Sequence, residues 1–89
     1  MTTTYPARLL HQNDGRILVE FVDLSDTFTE GLNQADAILN ATEVLSAMLS
    51  WHIEQGHAIP EPTLGLPEVF YVAPDPDTQA ALTAFRAQA

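Results

Sequence analysis

The chain has 89 residues, no cysteine and a formal net charge of -9, with twelve carboxylates set against three arginines and no lysine. Hydrophobic residues make up 46% and charged residues 17%, which fits one globular domain with a modest core and excludes a disordered chain. The missing cysteines exclude disulfides and thiolate chemistry and point to a reducing, cytoplasmic setting, while the charge disfavours phosphate backbones and anionic membranes and favours a basic partner.

Thr4 to Gln12 reads as a strand, with Tyr5, Ala7 and Leu9 on one side and Pro6, Arg8 and Leu10 on the other. Pro6 cannot donate a ladder hydrogen bond, so this strand is expected at a sheet edge or with Pro6 as its first residue. Asn13-Asp14-Gly15 is a hairpin turn. Arg16 to Val22 is the second strand, with Ile17, Val19 and Phe21 pointing one way. Asp23 to Asp26 is a turn, and Thr27-Phe28-Thr29 is a third strand closed by Gly31. Asn33 is placed as a helix N-cap, with Asp36 reaching back as a weak capping box. A long helix follows over Gln34 to Gln55, with Gly56 in the C′ position.

On that helix Ile38, Ala41, Leu45, Met48, Leu49 and His52 share one face. Ala37, Val44 and Trp51 flank it on one side, Leu39 and Ile53 on the other. Asp36, Asn40, Glu43, Ser50 and Glu54 form the polar strip. The apolar arc is wider than the roughly 100° stripe of a helix with one contact. Its margins, Trp51 or Ile53, therefore meet either another subunit or the C-terminal segment. His57 to Pro67 is a proline-punctuated connector, extended through Ile59-Pro60-Glu61-Pro62. Glu68 to Ala73 is a fourth strand, stopped by Pro74-Asp75-Pro76. Asp77 to Ala89 is a last helix, with Ala81, Leu82 and Phe85 on one side.

The expected class is α+β in the order β-β-β-α-β-α: a three-stranded antiparallel meander, a long helix, a fourth strand and a short C-terminal helix. Residues 1–76 make the α+β domain, and 77–89 its C-terminal helix or linker end. No apolar run approaches the roughly 20 residues that span a bilayer. The stretch Met1 to Pro6 has no signal-peptide character.

Few residues suggest chemistry. His52 and His57 straddle the helix end and do not share a face as an i, i+4 metal pair would. His11 and His57 read as solvated, and His52 as a packed histidine. Glu20, Asp14 and Asp23 form no converging carboxylate cluster, and Asp23 and Asp26 suit turns. There is no nucleophile elbow and no phosphate-cradling glycine loop. Tyr5, Phe21, Phe28, Phe70 and Tyr71 lie in strands with few cations nearby, which suits a core better than a base-stacking platform. No enzyme, metal or cofactor is expected, nor direct nucleic-acid binding.

Tyr5-Pro6-Ala7, Asn13-Asp14-Gly15 and Phe21-Val22-Asp23-Leu24 together resemble the opening of HicB-family antitoxins. Thr29-Glu30-Gly31, Asp36-Ala37, Asn40-Ala41, Val44-Leu45 and Ile59-Pro60-Glu61-Pro62-Thr63 continue the likeness in order, so that it spans about Tyr5 to Val72. It departs where Val22 stands for a proline, Ser25-Asp26 for Pro-Gly and Asp36 for a glutamate. The resemblance implies a partial RNase H-like fold without nuclease activity. It also implies a protein-binding role: neutralising a HicA-type toxin, a small basic mRNA-cleaving enzyme, by covering its active surface. It implies a homo-oligomer, dimer or higher. Family members commonly continue into an operator-binding domain; this chain stops at Ala89, so operator binding is not carried over. The alternative is a stand-alone HicB-like interaction or regulatory domain with no toxin. The residues expected to meet a partner are Trp51 and Ile53, with Asp36, Glu43 and Glu54 as an acidic strip.

Overall fold

The computed structural model describes residues 2–88; Met1 and the expected end of the last helix at Ala89 lie outside them. The elements are β1 (Tyr5–His11), β2 (Ile17–Phe21), β3 (Phe28–Gly31), α1 (Gln34–Gln55), β4 (Phe70–Val72) and α2 (Pro76–Ala87). The strands form one antiparallel sheet in the order β3-β2-β1-β4. Tyr5, Ala7, Ile17, Val19, Phe21 and Val72 from one face of the sheet join Ala37, Ala41, Leu45 and Leu49 of α1 in a single core, completed by Leu24 and by Leu82 of α2. The α+β class and the element order are those expected from the sequence.

The expectation for Pro6 is not met. It is the second residue of β1, which is an interior strand between β2 and β4. The ladder with β2 covers only Ala7 to His11. The Val22 N–H donates to the Pro6 carbonyl at 3.0 Å, so Pro6 nitrogen faces that same side, where β2 has already ended at Phe21. The missing donor therefore falls beyond the ladder instead of within it. The hairpin behaves as its sequence says: Gly15, at φ 89°, closes a three-residue loop in which the Gln12 N–H donates to the Arg16 carbonyl at 2.8 Å.

Helix α1 starts and stops at the residues its capping chemistry marks. Asn33 Oδ1 accepts from the Asp36 N–H at 2.9 Å. The Asp36 carboxylate reaches one residue further back than a capping box requires and accepts from the Leu32 N–H at 2.9 Å. At the other end Gly56, at φ 69°, donates to the Ile53 carbonyl, and the His57 N–H donates to the His52 carbonyl at 2.9 Å. That pair of bonds is a Schellman motif.

The apolar face of α1 differs in detail from the expected one. Its fully buried line is Ala37, Ala41, Leu45 and Leu49, with Ile38, Met48 and His52 only half-buried. Leu39 is 61% exposed. Ser46 and Ser50, although polar, face α2: Ser46 Oγ accepts from the Asp75 N–H at 2.9 Å, and Ser50 Oγ lies 3.5 Å from Thr78 Oγ1. The wide arc arises because the sheet takes one flank of α1 and α2 takes the other.

Strand β4 and helix α2 also shift from expectation. Glu68, at φ 57°, is in the left-handed region and cannot continue a strand, so β4 begins at Phe70 instead of Glu68. Asp75 belongs to the next helix as its N-cap: its side chain accepts from the Thr78 N–H at 2.7 Å, and Pro76 takes the first helical position, where its missing N–H costs nothing. The inward residues of α2 are Thr78 and Leu82, while Ala81 is exposed.

The hydrogen bonds from Thr78 hold the Asp75 carboxyl below its ordinary value of 3.8. A lowered pKa means that this contribution is present above the unfolded value and is lost as pH falls through the folded one. Protection of the Thr78 amide from hydrogen exchange is therefore expected to fall on acidification below about pH 4. Asp75→Asn is expected to flatten that response.

Candidate partner-binding surface

Three segments far apart in sequence are tied together beside the C-terminal half of α1. The Tyr5 hydroxyl donates to the Pro60 carbonyl at 2.8 Å and accepts from Arg86 Nη2 at 2.7 Å. Burial pushes the Tyr5 phenol above its usual 10.0, the Arg86 cation opposing, so it stays protonated and able to donate. Asp23 accepts from Thr63 twice, from its hydroxyl at 2.6 Å and its N–H at 2.9 Å. Tyr71 donates to the Thr63 carbonyl at 2.9 Å. The connector is thus pinned to the start of β1, to the β2–β3 turn and to β4. Asp23 is expected to matter structurally: Asp23→Ala should cost about 1–2 kcal/mol and raise hydrogen exchange at Thr63, read by native-state exchange.

Pinning the connector creates a groove of about 410 Å³ between the β2–β3 turn and α1. Asp23 and Asp26 stand on one wall, Met48, Trp51 and His52 on the other, and Pro60 at the end. Trp51 is 47% exposed. A second groove of about 280 Å³ runs along the other side of the same turn, past Glu20, Asp26 and Phe28, whose ring is 60% exposed.

The expected contact residues do not all gather. Glu43 and Glu54 are exposed, and helical geometry puts them with Asp36 on one strip about 27 Å long. Trp51 borders that strip. Ile53 does not: it lies about 160° from Trp51 around the axis and packs half-buried against the core. Asp36 is half-buried and already caps the helix start. Among the described residues, arginine pairs with Asp14, Glu30 and Glu61. The other nine carboxylates have no cationic side chain within 4 Å, so the acidity of this surface is uncompensated.

One cluster was not expected. His52 and His57, read as separated by the helix end, stand with their Nδ1 atoms 3.3 Å apart. Trp51 meets both edge-on, with ring centroids 5.1 and 5.0 Å away. The signal was present in the sequence. Once Gly56 is C′, a Schellman turn folds the residue after it back onto the helix's last turn, and those two residues are His57 and His52.

The tied segments are the very ones on which the family likeness rests: Tyr5-Pro6, Asp23 and Pro60 to Thr63. Residues 4–73 match the model of a family described as the HicB-like antitoxin of bacterial toxin–antitoxin systems. The chain belongs to the HicB-like antitoxin family. The HicB-like match ends before α2, which nonetheless places Leu82 in the core and Arg86 on Tyr5. No curated protein gives a significant match. No helix among the described residues is long and apolar enough to cross a membrane.

Proposed function

We propose that this HicB-like domain neutralises a small basic HicA-type mRNA-cleaving toxin by occluding its active surface. The observation that carries the reading is the uncompensated acidic surface around Trp51: Asp26 on the groove wall, Glu43 and Glu54 on the helix, and a net charge of -9. An enzyme that grips RNA presents a cationic surface, and opposite fields steer the two proteins together and hold them in register. Trp51 supplies a rigid aromatic anchor, the residue type most enriched at energetically dominant contacts.

Occlusion needs area and charge, not catalysis, so the chain acts as a binding protein and not as an enzyme, in the cytoplasm where mRNA is cleaved. Asp36 adds charge at the far end of the strip, while Ile53, packed against the core on the other side of α1, lies outside this surface. Residues 1–76 form the HicB-like unit, with 77–89 as its C-terminal helix. A homo-oligomer, dimer or higher, is the working state, supported by the exposed apolar side chains Leu32, Leu39 and Phe28, none of which lines the Trp51 groove. The test is enzymatic. The purified basic partner is expected to cleave RNA alone and to stop when this chain is added in equal amount. Cleavage that continues with the two proteins bound would overturn the occlusion reading.

A further inference from the structure

We propose that His52 and His57 form a two-imidazole site for zinc or a similar divalent transition cation at the end of α1. The geometry carries the inference. Zinc binds imidazole nitrogen at about 2.0–2.1 Å, and two such ligands at a tetrahedral angle stand about 3.3–3.4 Å apart. The two Nδ1 atoms are 3.3 Å apart. In the metal-free protein one of these nitrogens must hold a proton and share it with the other. A cation takes the place of that proton, which moves through solvent to Nε2 of the same ring, so that both rings are neutral and carry N–H at Nε2.

The surroundings suit a cation. The Schellman turn fixes His57 over the last turn of α1, so the two donors are held in place by backbone bonds. Asp23 and Asp26 line the groove that His52 borders, and their carboxylates add negative potential. His57 is exposed, so further coordination positions are open. No group of three or more ligating side chains gathers among the described residues. Water or a donor from another chain therefore completes the coordination, as in open metal sites. Bound there, the cation would clamp the helix end on which Trp51 sits.

Trp51 is the chain's one tryptophan and lies about 5 Å from both rings, so it reports directly on the site. The experiment titrates the full chain with copper(II), which quenches indole fluorescence, and then adds zinc(II) in competition. Saturable quenching at neutral pH is expected, with recovery on adding zinc. His57→Ala should weaken it by at least about tenfold, the lower range for losing even a supporting group, and His11→Ala should leave it unchanged. Far-UV circular dichroism of each variant checks that α1 is intact, and His57→Gln replaces the alanine variant if it is not. Quenching that does not saturate, that zinc fails to reverse, or that is equal in the two histidine variants overturns the proposal. The outcome is independent of toxin binding.

Discussion

Gly31→Ala is expected to cost about 3 kcal/mol or more, lowering the melting temperature by roughly 12–24 °C. Gly31 ends β3 and is buried against the first turn of α1. A methyl group there would stand 2.5 Å from Ala37 Cα and 2.8 Å from Asp36 C, and would overlap the Ala37 nitrogen. These are backbone atoms, held by the Asn33 cap and by Asp36, so no side chain can swing aside. The helix would have to lift off the sheet and take Ala37 and Ala41 out of the core. Gly56→Ala makes the useful contrast. Its added methyl meets nothing within 4 Å but must adopt φ 69°, a strain of about 1–2 kcal/mol. Gly31 is not among the residues with positive φ, so conformational preference alone would rank the two variants the other way. Thermal unfolding of both decides whether close packing at the helix start governs this fold.

Trp51→Ala is expected to weaken the complex with the basic partner by about 2–4 kcal/mol, roughly 30- to 1,000-fold in Kd, while changing the stability of the free chain by less than about 1 kcal/mol. The separation follows from exposure: 47% of Trp51 is open to solvent, and the buried core is built from other residues of α1, Ala37, Ala41, Leu45 and Leu49. Glu43→Lys should act differently. As an exposed strip residue it should mainly slow association and alter the salt dependence. Calorimetric binding together with thermal unfolding separates the two effects. A Trp51 variant that loses stability and keeps affinity would make the tryptophan a structural residue.

Local chemistry was legible in the sequence to the residue. Asn33 and Gly56 mark α1 because caps and left-handed turns depend on one side chain and its immediate neighbours. The alternation in β2 held for the same reason. What pattern reading cannot supply is pairing across long separations. Asp23 with Thr63 and Tyr5 with Arg86 are contacts of 40 and 81 residues, and neither has a periodic signature. Pro6 was misplaced because a proline rule applied to a whole strand ignores where the neighbouring strand ends. Ser50 was assigned to the polar strip because the partner that covers it, α2, begins with an Asp-Pro pair read as a strand stop. Within the candidate surface, the position of Trp51 at the helix margin and the exposed Glu43 and Glu54 were readable from the helical repeat. The groove beside them was not, since it exists only where the connector is pinned to the β2–β3 turn.

The most direct test of the antitoxin account is a pull-down of the tagged chain from its native cells at low salt, with mass spectrometry and an RNA-cleavage assay on what is retained. The account predicts a small basic protein in stoichiometric amount, released by raising the salt and active on RNA once released. Recovery of the chain by itself, at the mass of a dimer or above, would contradict it.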